Sequence, residues 1–283
     1  MSAPATISVL LVTALATFYA LLRPDIRERW NFNPQAILAQ KQFYRMFTCG
    51  LIHADWVHFG FNAFSFYCFA QNIEEIYGAR PLLLVYGSSI LGGSLLSLAI
   101  HHNHDYRALG ASGGVCGVIF ASIFLLPGSS IVIYPVPVGI PAALYAGLFL
   151  IGSFMAHRKR SDNIGHDAHL GGAIIGLLVA AVLYPNVIFA ATWMFAGVVG
   201  LSLVILVVLI FDPTHLLERR LNLTGSSPGN ERSREYDANQ RQNAKKAEID
   251  RLLDIVTAKG MDKLSNSERK RLEQLSNEIH GRK

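Results

Sequence analysis

Long apolar runs, separated by short polar or proline-containing stretches, dominate the first three quarters of the chain. A helix that crosses the hydrocarbon core of a bilayer needs about 20 mostly apolar residues. Seven runs approach this length, and they predict membrane helices over roughly residues 5–22, 56–76, 82–101, 112–127, 140–156, 168–184 and 188–211. We therefore predict an all-α fold, a polytopic membrane helix bundle.

The segment between the first two runs, residues 23–55, has a different character. It mixes charged residues with aromatic side chains such as Trp30, Phe43 and Phe47. Such mixtures are typical of the zone between lipid and water. We expect this segment to lie in the interface rather than to cross the membrane.

Composition and charge divide the chain further. Hydrophobic residues make up 51% of it and charged residues 16%, against about 25% charged in an average soluble domain. Residues 212–283 carry 15 of the 25 Lys and Arg and 12 of the 20 Asp and Glu. We predict a membrane domain (1–186), an additional membrane helix (187–211), a linker (212–238) and a soluble helical tail (239–283).

The net charge of the chain is +5. Its basic residues do not form a stripe interleaved with aromatic residues, as a nucleic-acid-binding surface would. The expected partner is therefore the lipid bilayer and not nucleic acid.

The tail carries two apolar stripes at helical spacing. The first consists of Ile249, Leu252, Leu253 and Val256, and the second of Leu272, Leu275 and Ile279. Ser265 and Glu268 stand between them at the spacing of a capping box, which marks a helix start. The pattern predicts a helical hairpin with a small core, either a solvated tail or a module that docks an unknown protein.

Polar residues inside membrane segments are costly, so we regard those that occur there as functional candidates. The first group enters the second segment. His58 and Asn62 are four residues apart and share one helix face, from which both can donate hydrogen bonds. His53, just before the helix, is predicted to be a structural histidine that holds the preceding segment.

The second and third groups open the fourth and sixth segments. Ser112 stands in a glycine-rich sequence at a predicted helix start, where backbone N–H groups and the helix dipole favour a developing anion. His169 lies at the opening of the sixth segment, in the sequence that begins at His166. Below these two residues, the pairs Gly113/Gly117 and Gly172/Gly176 form small-residue faces of the GxxxG type.

Small-residue faces allow two membrane helices to pack closely. Because the fourth and sixth segments run in the same direction, close packing would bring Ser112 and His169 to the same depth. Residues 112–127 span about 24 Å against about 30 Å of hydrocarbon. A serine at the start of so short a helix would lie below the membrane surface, in a cavity that water can enter.

Three motifs in order, QFYRMFTCGLIHADWVHFGFN, GASGG and AHLGGAIIG, resemble those of the rhomboid family of intramembrane serine proteases over about residues 41–184. The resemblance implies a six-helix core with a seventh C-terminal helix, and a serine-type endopeptidase of a cell membrane. It implies Ser112 as nucleophile, His169 as general base, and an oxyanion hole of His58, Asn62 and the Ser112 N–H. Substrates would be transmembrane helices of membrane proteins, and the family's dyad implies no cofactor and no metal.

The resemblance also assigns residues outside this group. Tyr44 and Arg45 match an aromatic–Arg pair, and Glu74 matches an acidic residue that ties helices together. Cys116 is a departure, because the family often has a tyrosine there that stacks on the base. Asp167, two residues before the base, has no place in a Ser–His dyad.

The family resemblance implies an orientation in which the catalytic side faces away from the cytoplasm. The distribution of basic residues does not fit this orientation. That orientation would leave Arg80 alone inside. It would place outside Arg23, Arg27, Arg29, Lys41, Arg45, Arg107, Arg158, Lys159 and Arg160. The positive-inside rule predicts the opposite orientation, and both stay open at this level.

Two further functions fit parts of the pattern. One is a catalytically inactive rhomboid-like protein that binds transmembrane clients. The other is a membrane di-metal oxygenase, since imidazole suits iron. Its ligands would come from His53/His58, His101/His102/His104 and His166/His169, which lack the repeated HxxHH spacing of such sites. A zinc protease is not indicated, because the chain has no HExxH.

Overall fold

The structure is a computed structural model. It describes residues 3–103, 106–132, 139–159, 165–190, 192–211, 248, 252, 255–257 and 265–280. The predicted linker at 212–238 and much of the predicted tail lie outside these ranges. The chain divides into two compact units, Met1–Pro213 and Thr214–Lys283.

Helices make up most of the first unit. They are α1 (Pro4–Leu22), α2 (Pro24–Trp30), α3 (Pro34–Ala39), α4 (Arg45–Thr48), a 3-10 turn (Cys49–Leu51), α5 (Trp56–Tyr77), α6 (Ala79–His101), α7 (Ser112–Leu125), α8 (Ala142–Lys159), α9 (His166–Leu183), α10 (Asn186–Ala190) and α11 (Thr192–Phe211). A two-stranded antiparallel sheet, β1 (Ser130–Val132) with β2 (Gly139–Pro141), joins α7 to α8.

A helix stands at each of the seven predicted apolar runs, with ends shifted by a few residues. Three helices, α1, α6 and α9, are long and apolar enough to cross a membrane by length and composition, and α7, α8 and α11 contain shorter apolar stretches. The seventh run differs from the prediction, because the short helix α10 precedes α11. The β1–β2 hairpin was not predicted either, since the prolines of this stretch indicated a break without indicating strand pairing.

The predicted interfacial segment folds into the short helices α2 to α4 around one buried arginine. The Arg45 guanidinium donates to the carbonyl oxygens of Glu28 (2.6 Å) and Asn31 (3.0 Å) and to the side chains of Asn31 and Gln42. Its role is therefore structural. A small core that includes Phe32 lies beneath these helices.

Helix α7 occupies the centre of the bundle. Every residue from Gly113 to Leu125 is buried, and the helix contacts α5, α6, α8 and α9. A helix that is apolar on all sides belongs inside a bundle. The residue that opens α7, Ser112, is thus held at a fixed place by packing on all sides of the helix.

The contact between α7 and α9 depends on missing side chains. A Cβ atom at Gly172 would overlap the carbonyl oxygen of Gly113, and one at Gly176 would overlap that of Gly117. Both overlaps involve backbone atoms, which cannot move aside as a flexible side chain can. The predicted pairing of the two small-residue faces is confirmed.

Helix α6 approaches α9 in the same manner. A Cβ atom at Gly93 would lie 2.6 Å from the carbonyl oxygen of Ala168, and one at Gly171 would lie 2.7 Å from that of Gly92. Helices α6, α7 and α9 therefore form a three-helix unit with backbones in direct contact.

Glu74 fixes the start of α1 against the end of α5. Its carboxylate accepts hydrogen bonds from the N–H groups of Ala5 and Thr6 and from the Thr6 hydroxyl, all at 2.7 Å. These N–H groups belong to the first turn of α1, where no side chain within the helix caps them. An external carboxylate satisfies the open donors and the positive end of the helix dipole together.

The second unit is described at its C-terminal part. Helix α12 (Asn266–His280) begins with reciprocal bonds between Ser265 and Glu268, the predicted capping box. Leu252 and Leu275 are each 1% exposed, and Arg271 pairs with Glu248 at 3.1 Å. Ile249 and Leu253 lie outside the described residues, and the hairpin as a whole stays a prediction.

We predict that Gly172→Ala destabilises the protein by about 1–3 kcal/mol, because overpacking against backbone atoms forces the two helices apart. Thermal unfolding in detergent micelles measures the effect. Gly147→Ala, on α8, is the matched control, since a Cβ atom there would have nothing within 4 Å. Equal unfolding midpoints for the two variants would contradict the importance of the α7–α9 contact.

We also predict that Glu74→Gln lowers the free energy of unfolding by about 2–4 kcal/mol, since hydrogen bonds to a charged acceptor are worth about 1.5–3 kcal/mol each and one amide oxygen must replace two carboxylate oxygens. The neighbouring Glu75→Gln is the control, because Glu75 is exposed. Both are compared by thermal unfolding. A Glu75→Gln variant that loses as much stability would show that the effect is not specific to Glu74.

Candidate active site

Ser112 is the first residue of α7, and its side chain is partly exposed while the residues around it are buried. The preceding residue, Ala111, offers no side-chain cap to the helix. The first N–H groups of α7 are therefore not satisfied by a cap of that kind. A helix start of this type attracts negative charge next to the serine hydroxyl.

The turn that leads into Ser112 presses against His58. Gly110 has a φ of +136°, and a Cβ atom there would lie 2.7 Å from Cε1 of the His58 ring. Glycine is required twice, by the backbone angle and by the space. The Gly110 N–H donates to the Cys49 carbonyl oxygen at 2.9 Å, which ties this turn to the interfacial segment.

His53 supports the same turn from below. Its Nε2 accepts the Ala111 N–H at 3.3 Å, and its Nδ1 lies 3.0 Å from the Thr17 hydroxyl of α1. Because Nε2 is an acceptor, the ring proton belongs on Nδ1, which donates to Thr17. Burial lowers the pKa of His53 to about 4, and the neighbouring His58 adds to this effect. The ring is therefore neutral near pH 7, and the predicted structural role is confirmed.

His58 and Asn62 lie in the first turns of α5 and line the same cavity as Ser112. Asp55 caps this helix by accepting the His58 N–H at 2.7 Å. The Asn62 side-chain amide donates to the His58 carbonyl oxygen at 2.9 Å. An amide nitrogen carries two hydrogens, so one bond to the backbone orients Asn62 and leaves its second hydrogen for a ligand.

His169 lies in the first turns of α9, at the level of Ser112. A Cβ atom on Gly113, the residue after the serine, would lie 3.1 Å from the carbonyl oxygen of Ala168, the residue before His169. The two helices thus touch at the residues that flank the predicted dyad. The His169 ring also contacts His166 edge to face, with ring centroids 5.7 Å apart.

One cavity of about 1090 Å³ joins these side chains. Its lining includes Ser112, His169, His58 and Asn62, the four residues predicted to form the dyad and the oxyanion hole. Close-packed helices leave few voids larger than a water molecule, so a cavity of this size at the start of α7 is a distinct feature.

An aromatic partner of His169 was not predicted. Cys116, the fourth residue after the serine, is buried. Phe149 of α8 stacks on the His169 ring instead, with centroids 6.4 Å apart and planes inclined by 29°. The sequence carries no signal for this contact, because it depends on the rotation of α8 about its axis.

Asp167 takes no part in the cavity around Ser112. Its carboxylate is 2% exposed and lies 3.4 Å from Nε2 of His101 on α6. Residues two apart on a helix point in nearly opposite directions. This placement agrees with the prediction that Asp167 is not a member of the dyad.

The histidines do not assemble as metal ligands in the part of the chain that the structure describes. No group of three His, Cys, Asp or Glu side chains converges there, and His104 lies outside the described residues. Both ring nitrogens of His53 already have partners in hydrogen bonds.

Comparison with known proteins assigns the family. The model of the rhomboid domain matches residues 40–186, and a family of unknown function, DUF6576, matches residues 234–278. The chain is 28% identical to rhomboid protein 1, mitochondrial, of Saccharomyces cerevisiae, over 53% of this chain and 45% of that protein. It is 26% identical to the rhomboid protease GluP of Bacillus subtilis, over 52% and 27%, and 26% identical to the rhomboid protease AarA of Providencia stuartii, over 60% and 68%.

The match to the yeast and Bacillus proteins thus spans less than half the length of each. The match to the family model covers slightly more than half of this chain, and it includes Ser112, His169, His58 and Asn62. Together with the apolar helices, it indicates an integral membrane protein. The chain belongs to the rhomboid family.

Proposed function

We propose that this protein is an intramembrane serine endopeptidase that hydrolyses peptide bonds in or near transmembrane helices of membrane-protein substrates. One observation carries the proposal. Ser112 and His169 flank the backbone contact between Gly113 and Ala168 and line one cavity with His58 and Asn62. A nucleophile, a base and donors for an oxyanion are the parts that acyl transfer requires.

In the acylation step, the Ser112 Oγ attacks the carbonyl carbon of the substrate peptide while His169 takes its proton. The tetrahedral intermediate collapses, and His169 returns the proton to the departing amine. The acyl group is left on Ser112. Water then attacks the ester with His169 as base, and the serine and the product acid are released.

The negative oxygen of each intermediate would be bound by the Ser112 N–H, the second amide hydrogen of Asn62 and the His58 ring. Donors aimed at such an oxygen contribute about 10²–10³ in rate each. The helix start adds the dipole of α7. The bond from Asn62 to the His58 carbonyl oxygen fixes the amide before substrate arrives.

The membrane arrangement that we propose has α1, α5, α6, α7, α8 and α9 as the six-helix core and α11 as a seventh helix. The 14 residues of α7 span about 21 Å, against about 30 Å of hydrocarbon. Ser112 would therefore lie below the membrane surface, where the cavity admits water for hydrolysis.

The division of the chain, its membrane location and the role of its tail are also parts of this proposal. We divide the chain at 186, 211 and 238 into membrane domain, seventh helix, linker and a helical hairpin tail. The protein would reside in a cell membrane, and its tail would dock another protein.

We predict that Ser112→Ala abolishes cleavage of a tagged single-span substrate in proteoliposomes, because the variant has no nucleophile. A fluorophosphonate probe, which bonds covalently to activated serines, provides a second readout without any substrate. Ser122→Ala, a buried serine deeper in α7, is the control and should keep both activities.

Undiminished cleavage by the Ser112→Ala variant would overturn the assignment. Wild-type protein that binds transmembrane peptides but neither cleaves them nor reacts with the probe would support an inactive client-binding protein instead.

We predict that Phe149→Ala lowers the rate of probe labelling about threefold to tenfold, as expected for the loss of one aromatic contact of about 0.5–1.5 kcal/mol that orients the base. Phe189→Ala removes an aromatic ring that is 82% exposed and should leave the rate unchanged. Equal rates for wild type and Phe149→Ala would show that the base is oriented without this ring.

A further inference from the structure

A second polar cluster lies at the same end of the bundle, outside the dyad and its oxyanion donors. It consists of His101 at the end of α6, Tyr106 in the loop before α7, and Asp167 in the first turn of α9. The rings of His101 and Tyr106 stack with centroids 3.8 Å apart and planes inclined by 9°. Nε2 of His101 lies 3.4 Å from the Asp167 carboxylate.

Tyr106 joins the cluster to Asp167 directly. Burial, together with the charge and the hydrogen-bond-accepting capacity of the nearby Asp167 carboxylate, raises the pKa of the Tyr106 hydroxyl. The hydroxyl therefore stays protonated and is available as a donor to the carboxylate. It also lies at the start of α9, since a Cβ atom on Gly165 would be 3.2 Å from its oxygen.

The loop that holds Tyr106 is fixed on its other side as well. The Tyr106 ring contacts Phe32 edge to face, with centroids 6.1 Å apart. Two residues further on, Ala108 exchanges backbone hydrogen bonds with Phe32 at 2.8 and 3.3 Å. The loop therefore reaches Ser112 from a fixed starting point.

A carboxylate that is 2% exposed carries a large desolvation cost, which partners must offset. An apolar residue would fill the same space at lower cost. What a carboxylate held against His101 and Tyr106 adds is direction, because these two neighbours restrict the rotation of the first turn of α9 about the helix axis. His169 stands two residues later in that turn.

We propose that Asp167 is a positioning residue, which sets the orientation of His169 toward Ser112 by binding Tyr106 and His101. This role rests on the proposed protease activity. The glycine contacts fix the distance between α7 and α9, while the Asp167 cluster fixes how α9 is turned. Asp167 touches no reacting atom and belongs to no triad.

The test uses the full-length protein in detergent and a fluorophosphonate probe, with kinact and KI measured separately. Asp167→Asn should lower kinact about tenfold to a hundredfold, the order of loss expected from a small displacement of a catalytic group, with KI unchanged. Tyr106→Phe, which keeps the ring and removes the hydroxyl, should lower kinact in the same direction. The double variant should lose little more than Asp167→Asn alone, because both changes remove one interaction.

Asp25→Asn is the matched control. Asp25 is an exposed carboxylate in an ion pair with Arg23 at 3.0 Å, away from the cavity, and its loss should leave kinact unchanged. The fraction of protein that labels at completion is recorded for every variant, because a folding defect lowers that fraction whereas a misplaced base slows each molecule.

Three results would count against these ideas in different ways. Asp167→Asn protein with wild-type kinact overturns the positioning role and leaves the protease intact. A lowered labelled fraction with wild-type kinact likewise overturns it, in favour of a role in stability alone. Wild-type protein that neither labels nor cleaves overturns the protease and the positioning role together.

Discussion

The structure depends above all on the direct backbone contact between α7 and α9. Lipid is as apolar as any side chain, so burying apolar surface gives membrane helices little reason to associate, and close van der Waals contact must do so instead. At Gly172 and Gly176 the contact is with the carbonyl oxygens of the facing helix. Because the same contact continues to Gly113 and Ala168, the packing that holds the bundle together also sets the depth of Ser112 and His169.

Polar interactions are placed at the two ends of the bundle and fix the rest to this centre. At one end, Glu74 binds the first turn of α1. At the other, His53 links Thr17 of α1 to the turn before Ser112, and Arg45 holds the interfacial helices. Each of these groups is buried and has its hydrogen bonds satisfied, which is the condition under which a polar group is tolerated in such a place.

Much of this arrangement follows from the local sequence. The contacts that could not be predicted from it have one cause in common. Apolar runs predicted the helices, and glycine spacing predicted the close contact of α7 with α9 beside Ser112 and His169. The stacking of Phe149 on His169 and the pairing of Asp167 with His101 were not predicted, because each depends on how one helix is rotated against another. The β1–β2 pairing depends likewise on contact between two separate strands, Ser130–Val132 and Gly139–Pro141. Spacing within a helix shows which residues share a face, but not which neighbour that face meets.

The attachment of α1 at both of its ends has a consequence for the bilayer around it. Thr6 is bound by Glu74 near the first turn and Thr17 by His53 near the last, so the helix cannot slide along its axis or tilt without breaking a buried hydrogen bond. Many membrane helices respond to a bilayer of unsuitable thickness by tilting. Here α1 cannot tilt independently of its neighbours, so hydrophobic mismatch along this side leaves two responses, a tilt of the whole bundle or thinning or thickening of the lipid.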